Sequence, residues 1–168
     1  VTDSSVKQDS AWLKELAESK HYNFRSMVVA HPGNARFLRS PRPYVKNVIR
    51  WLISDRHLSL EPSDYIADMK RHAFVITGRY HTVTMCLKHQ IPFVTLESNT
   101  PKVRALLNDV FSAGQRSVSR QQIEADDLDA LRQFSVTEVQ AMEDFSAMAE
   151  QRIQAMIAAV VEDIRSHV

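Results

Sequence analysis

The chain has 168 residues, enough for one domain with a hydrophobic core. Apolar residues make up 44% and charged residues 24%, and the net charge is +1, so the overall balance points to neither nucleic acid nor an anionic membrane surface. Any anion has to be held locally. One cysteine, Cys86, excludes an intrachain disulfide and suits a reducing compartment. No apolar run approaches the ~20 residues of a membrane span, and the opening VTDSSVKQDS does not have the composition of a signal peptide. The absence of an initiator Met points to a processed chain or a piece of a longer one.

Residues 1–10 read as a flexible lead-in. Ser10 is placed to cap a helix over 11–19, with Trp12, Leu13 and Leu16 on one face. Residues 26–30 form a short continuous apolar run, as a buried parallel strand does, and end in the turn cluster His31-Pro32-Gly33-Asn34. Pro43 suits the first turn of a helix to Trp51. A short strand follows over 57–60, then a helix over 62–71 with Tyr65, Ile66 and Met69 inward. Next come a buried strand over 74–77, an apolar helix over 80–89, a strand over 91–96 and a helix over 101–111 started by Thr100-Pro101. Past Gly114 the chain turns polar and acidic over 119–133. Ser135 then opens a long helix to about Ile164, with Val139, Met142, Phe145, Met148, Ile153, Met156, Ile157 and Val160 as its apolar set. The alternation predicts an α/β fold. Residues 11–118 are expected to be a Rossmann-like parallel sheet of about four or five strands flanked by helices, and 119–168 a helical segment packing on the same domain.

Two loops leave neighbouring strands at the carboxyl edge of that sheet, where open α/β sheets bind ligands. The first is Thr77-Gly78-Arg79-Tyr80-His81. Gly78 allows a tight turn and a close approach to a ligand, Arg79 offers a bidentate fork, and His81 suits a general acid or base. The loop runs into a helix N-terminus, which favours anions. The second is Glu97-Ser98-Asn99-Thr100-Pro101-Lys102, whose hydroxyls, amides and Lys102 suit a phosphate or carboxylate, while Glu97 suits sugar hydroxyls. His31 lies on the same edge. Against this stands a plain structural role: two strand-to-helix turns, one capped by Thr100. Arg36, Arg39 and Arg42 form a local basic patch. His21, His57, His72, His89 and His167 share no metal-ligand spacing, Cys86 reads as core, and no metal or cofactor is expected.

The stretch from about Leu60 to Asp109 resembles the polysaccharide pyruvyl transferase family, whose fold is similar to the two-domain GT-B glycosyltransferases. The resemblance is carried by Asp64-Tyr65-Ile66-Ala67, by Val75-Ile76-Thr77-Gly78-Arg79-Tyr80-His81, by Gln90-Ile91-Pro92-Phe93-Val94, and by Lys102-Val103 with Leu107-Asn108-Asp109. Gln90 stands where the family pattern has glycine. The resemblance implies the C-terminal, donor-binding half of such an enzyme. In that role Arg79 holds the carboxylate or phosphate of phosphoenolpyruvate, His81 is the general acid, and Gly78, Glu97, Ser98, Asn99, Lys102 and His31 line the donor site. It implies a cytoplasmic enzyme, one able to work at the inner membrane face. It also implies a saccharide acceptor, free or lipid-linked, and an opposing N-terminal α/β half or a second copy. Two alternatives stay open: a GT-B glycosyltransferase half binding a nucleotide sugar, and a non-catalytic domain binding a glycan or a partner through its long C-terminal helix.

Overall fold

A computed structural model of the chain describes residues 1–2, 4, 6–27, 41–42, 45, 49, 58–59, 62–97, 101–111 and 115–166. In chain order these give α1 (Lys7–Ser19), β1 (Ser26–Met27), β2 (Leu58–Ser59), α2 (Pro62–Met69), β3 (Val75–Thr77), α3 (Tyr80–Lys88), β4 (Phe93–Leu96), α4 (Pro101–Phe111), β5 (Ser117–Val118), α5 (Arg120–Glu124), a 3-10 turn at Asp129–Leu131 and α6 (Val136–Ser166). β1 pairs with β2, and β3, β4 and β5 form a three-stranded sheet in that order; every pairing among the described strands is parallel. The protein is therefore an α/β structure with a small parallel sheet and a long C-terminal helix. All four strands expected near residues 27, 58, 75 and 93 are present. β5 is not foreshadowed in the sequence, because it pairs through Ser117 and Val118 alone.

Residues 1–10, expected as a lead-in, are built into the fold. Thr2 and Ser4 are buried. Thr2 bridges Arg25 and Ser4 bridges Gly78, both in parallel, so this segment lies between β1 and β3. The Thr2 amide donates to the Ile76 carbonyl at 2.8 Å, the Arg25 amide donates to the Val1 carbonyl at 2.9 Å, and the Thr2 hydroxyl donates to the Thr77 hydroxyl at 2.6 Å. α1 starts at Lys7, ahead of the expected Ser10 cap; the Ser10 amide donates to the Val6 carbonyl inside the first turn.

β3 and β4 are buried on both faces, as their continuous apolar runs require. On one face Val75 and Phe93 pack with Val83 and Cys86 of α3, Val103 and Leu107 of α4, and Met142 of α6. On the other, Ile76, Val94, Leu96 and Val118 pack with Leu13 and Leu16 of α1, Ile123 of α5 and Leu128. Cys86 is fully enclosed, and burial pushes its thiol up to about 12, in keeping with a core role. α3 ends where Gln90 takes φ 51°, a left-handed conformation that favours glycine. The Gln90 and Ile91 amides donate back to the Leu87 and Cys86 carbonyls and close that end.

α6 begins with a capping box: the Glu138 amide donates to Ser135 Oγ, and the Ser135 amide donates to Glu138 Oε2. Arg116 pins this end to the domain. Its guanidinium is wholly buried and donates to both Glu138 oxygens and to the Phe93, Leu131 and Gln133 carbonyls, 2.7–3.0 Å away. It also lies over the Phe134 ring at 4.0 Å. Val139, Met142 and Phe145 then pack on the core. The rest of α6 departs from the expectation that 119–168 packs on the domain, since every residue from Glu150 to Arg165 is exposed. No helix among the described residues is long and apolar enough to cross a membrane.

Candidate functional site

β3 and β4 run parallel with Thr77 opposite Thr95, so the chain leaves both strands at one edge. Continuing that register sets Arg79 beside Glu97. α3 starts directly after Arg79, and α4 starts at Pro101 with Lys102 as its second residue. The structure thus brings Arg79, His81, Glu97 and Lys102 to the same edge of the sheet. Ser98, Asn99 and His31 lie outside the described residues, as do Thr100, Arg36 and Arg39.

Arg79 is half-buried and extended (φ −110°, ψ 130°), and its amide donates to Thr77 Oγ1 at 3.1 Å. It occupies the N-cap position of α3, which receives no side-chain cap, and the first turn carries no acid. α5 and α6 are capped, by Ser119 with Gln122 and by Ser135 with Glu138, whereas α1, like α3, has no side-chain cap but carries Asp9 in its first turn. Among the described residues the positive dipole end of α3, next to Arg79, has neither a side-chain cap nor a first-turn acid to offset it. His81 is exposed as the second residue of α3, with its ring edge-on to Tyr80 at 5.8 Å, and its carbonyl accepts from Thr84 Oγ1 at 2.8 Å. Glu97 and Lys102 are exposed. The Glu97 amide donates to the Val118 carbonyl, and Arg104 donates to the Glu97 carbonyl at 3.3 Å, adding a cation at this edge that the sequence pattern did not single out.

Gly78 has a packing role that the sequence reading did not include. It is buried, and the space a side chain would fill is taken by Ser4 of the N-terminal segment. The close approach that demands glycine is between two strands of this chain. A second feature is not evident from the sequence. Thr95 is fully buried just below the edge, and its hydroxyl has no hydrogen-bond partner among the described residues. By strand alternation it shares the sheet face of Phe93, which packs on α3 and α4. The available signal was a threonine at the same offset in two neighbouring strands.

Among the described residues no group of three or more His, Cys, Asp or Glu is placed to hold a metal ion. A cavity of about 300 Å³ opens at the other, amino end of the strands, around Tyr22, Phe74, Leu128 and Arg132. It shares no residue with the carboxyl edge. Comparison of the chain with protein-family models, curated proteins and solved structures finds no match. The fold and the edge define an α/β protein with a cationic rim at the carboxyl ends of its central strands.

Proposed function

We propose that this rim is the donor-binding wall of a transferase of the polysaccharide pyruvyl transferase kind, with the sheet as the core of a Rossmann-like, GT-B-type half. The observation that carries the reading is the position of Arg79 and His81 at the uncapped start of α3, next to the strand end that bears Glu97 and leads to Lys102. Arg79 and Lys102 neutralise the carboxylate and phosphate of phosphoenolpyruvate, and the α3 amides add partial positive charge. His81 gives its proton to the methylene carbon of the enol. A sugar hydroxyl adds to the cationic carbon so formed, a second hydroxyl displaces the phosphate, and the products are a pyruvate ketal and inorganic phosphate. The donor is a cytoplasmic metabolite, so the reading places the protein in the cytoplasm, with a saccharide acceptor on the far side of the site.

The exposed carboxylate of Glu97 favours the second reading, a nucleotide-sugar donor held through its ribose hydroxyls. Calorimetric titration separates the two. Phosphoenolpyruvate is expected to bind the wild-type chain, at least tenfold more weakly to Arg79→Ala, and with little change to His81→Asn. Binding of a nucleotide sugar in its place selects the second reading. Equal affinity of the wild type and Arg79→Ala for phosphoenolpyruvate removes the site assignment.

A further inference from the structure

We propose that the exposed half of α6 pairs two copies of this chain in an antiparallel helical seam, independently of the donor-site reading. Ile153, Met156, Ile157, Val160, Val161 and Ile164 are 41–62% exposed. Their spacing of 3, 1, 3, 1 and 3 residues lines them along one side of the helix. They lie beyond Phe145, the last residue of α6 that packs on the core. An apolar stripe of this length, on a helix otherwise rich in Glu, Gln and Arg, is a surface made for burial.

The stripe is complementary to itself. Ile153, Ile157, Val160 and Ile164 follow the 4-3-4 spacing of a coiled-coil seam. Running two copies antiparallel sets Ile153 on the partner's Ile164 and Ile157 on the partner's Val160. The two-fold axis repeats both pairs, giving four apolar layers with no polar residue between them, an isologous contact that closes at two copies. The flanking charges agree. At about 100° per residue, Arg152 and Asp163 share one flank of the stripe, Arg165 lies on the other, and Glu150, seven residues before Ile157, sits at the N-terminal end of the seam itself. In an antiparallel pair each flank meets its own counterpart reversed. Arg152 then comes beside the partner's Asp163, and Glu150, at the end of the seam, beside the partner's Arg165. A parallel pair would set Glu150 against the partner's Glu150 in the seam. One helical seam buries less than the roughly 800 Å² per partner of a standard stable interface, so the dimer forms reversibly at micromolar concentration.

Sedimentation velocity on the whole chain, from about 1 µM to about 200 µM, tests this. The expected result is a concentration-dependent monomer–dimer equilibrium. Ile157→Glu is expected to lower the association constant at least tenfold with an unchanged far-UV circular dichroism spectrum. Cysteine pairing reads the direction. A mixture of Ile153→Cys and Ile164→Cys chains is expected to form an intermolecular disulfide, and Ile153→Cys alone is not; the native Cys86 is enclosed and silent. A monomer throughout the range overturns the proposal and leaves the stripe to an unlike partner. Ready disulfide formation by Ile153→Cys alone overturns the antiparallel arrangement.

Discussion

Replacing Gly78 with alanine separates the two roles a glycine has at this edge. A Cβ at position 78 would sit 2.9 Å from the α-carbon of Ser4 and closer still to the Ser4 side chain. That α-carbon belongs to the backbone of the N-terminal segment, so the clash is not relieved by turning a flexible side chain. The segment has to shift, and that strains the Thr2–Ile76 and Thr2–Thr77 hydrogen bonds at 2.8 and 2.6 Å. Overpacking of this kind costs about 1–3 kcal/mol, and a lost hydrogen bond about 1 kcal/mol more. The expected loss is therefore about 2–4 kcal/mol, or a fall in Tm of about 5–15 °C for a chain of this size. Urea unfolding of the ligand-free protein measures it. Ser4→Gly in the Gly78→Ala background removes the Ser4 side chain but leaves the clash with its backbone, so it recovers part of the loss. Were Gly78 instead kept open for a ligand, Gly78→Ala would match the wild type in stability and lose only donor binding. Stability within about 0.5 kcal/mol of the wild type would refute the packing argument.

Arg116→Met leaves the Glu138 carboxylate and the Phe93, Leu131 and Gln133 carbonyls without this donor and is expected to cost about 3–5 kcal/mol in urea unfolding, partly recovered by adding Glu138→Leu. The same pair gives stability an acid limb. Burial pushes the Glu138 carboxyl up, and hydrogen bonds from Arg116 and Ser135 outweigh this and hold it below its ordinary value. Its contribution is thus full above the unfolded carboxyl's pKa of about 4.3 and is lost as pH falls through the folded value, so Glu138→Gln should flatten the decline of Tm below about pH 4. Gln90→Gly relieves a left-handed backbone and is expected to stabilise by about 0.5–1 kcal/mol in calorimetry. A destabilisation instead would assign the greater weight to the Gln90–Glu143 side-chain hydrogen bond at 3.4 Å.

The central alternation was legible because each strand there is a continuous apolar run between turn residues. Val75–Thr77 and Phe93–Leu96 are buried at every position, and only a two-faced parallel sheet asks for that pattern. α4 was legible at both ends from Pro101 and the apolar spacing through Phe111. The N-terminal segment was hidden for the opposite reason. Thr2 and Ser4 enter the sheet through backbone bridges and a hydroxyl pair, and a polar composition does not reveal contacts made by the backbone. β5 was missed on the same ground. Arg116 looked like any surface cation, since nothing local announces that its partners arrive from residues 93, 131, 133 and 138. On α6 the apolar spacing ran unbroken from Val139 to Ile164, and periodicity does not say where packing on the domain stops and an exposed stripe begins. At the site, the sequence placed Arg79, His81, Glu97 and Lys102 at one edge because parallel strands deliver their loops to the same side. It did not reveal the packing of Gly78 on Ser4, because a glycine kept small for a neighbouring segment and one kept small for a ligand are spelled alike.

The exposure of this edge bears on what the proposed chemistry requires. His81, Glu97 and Lys102 all face solvent. Two unit charges 4 Å apart attract by about 1 kcal/mol in bulk water and by about 4 kcal/mol at the effective dielectric of a protein surface. A donor held by an open cationic rim therefore gains recognition from Arg79 and the α3 dipole, but little of the stabilisation that an enol-to-cation step demands. That stabilisation comes from fixed dipoles in a site from which water is excluded. On the proposed reading, binding and turnover are then separable. Binding would need only Arg79, Lys102 and the start of α3, whereas turnover would need a second surface laid over His81. It follows that donor affinity should weaken steeply with added salt in the isolated chain, as exposed ion pairs do, and should become salt-insensitive once an opposing wall covers the rim. A donor affinity already indifferent to salt in the isolated chain would mean that the binding groups are buried, and would move the site away from this edge.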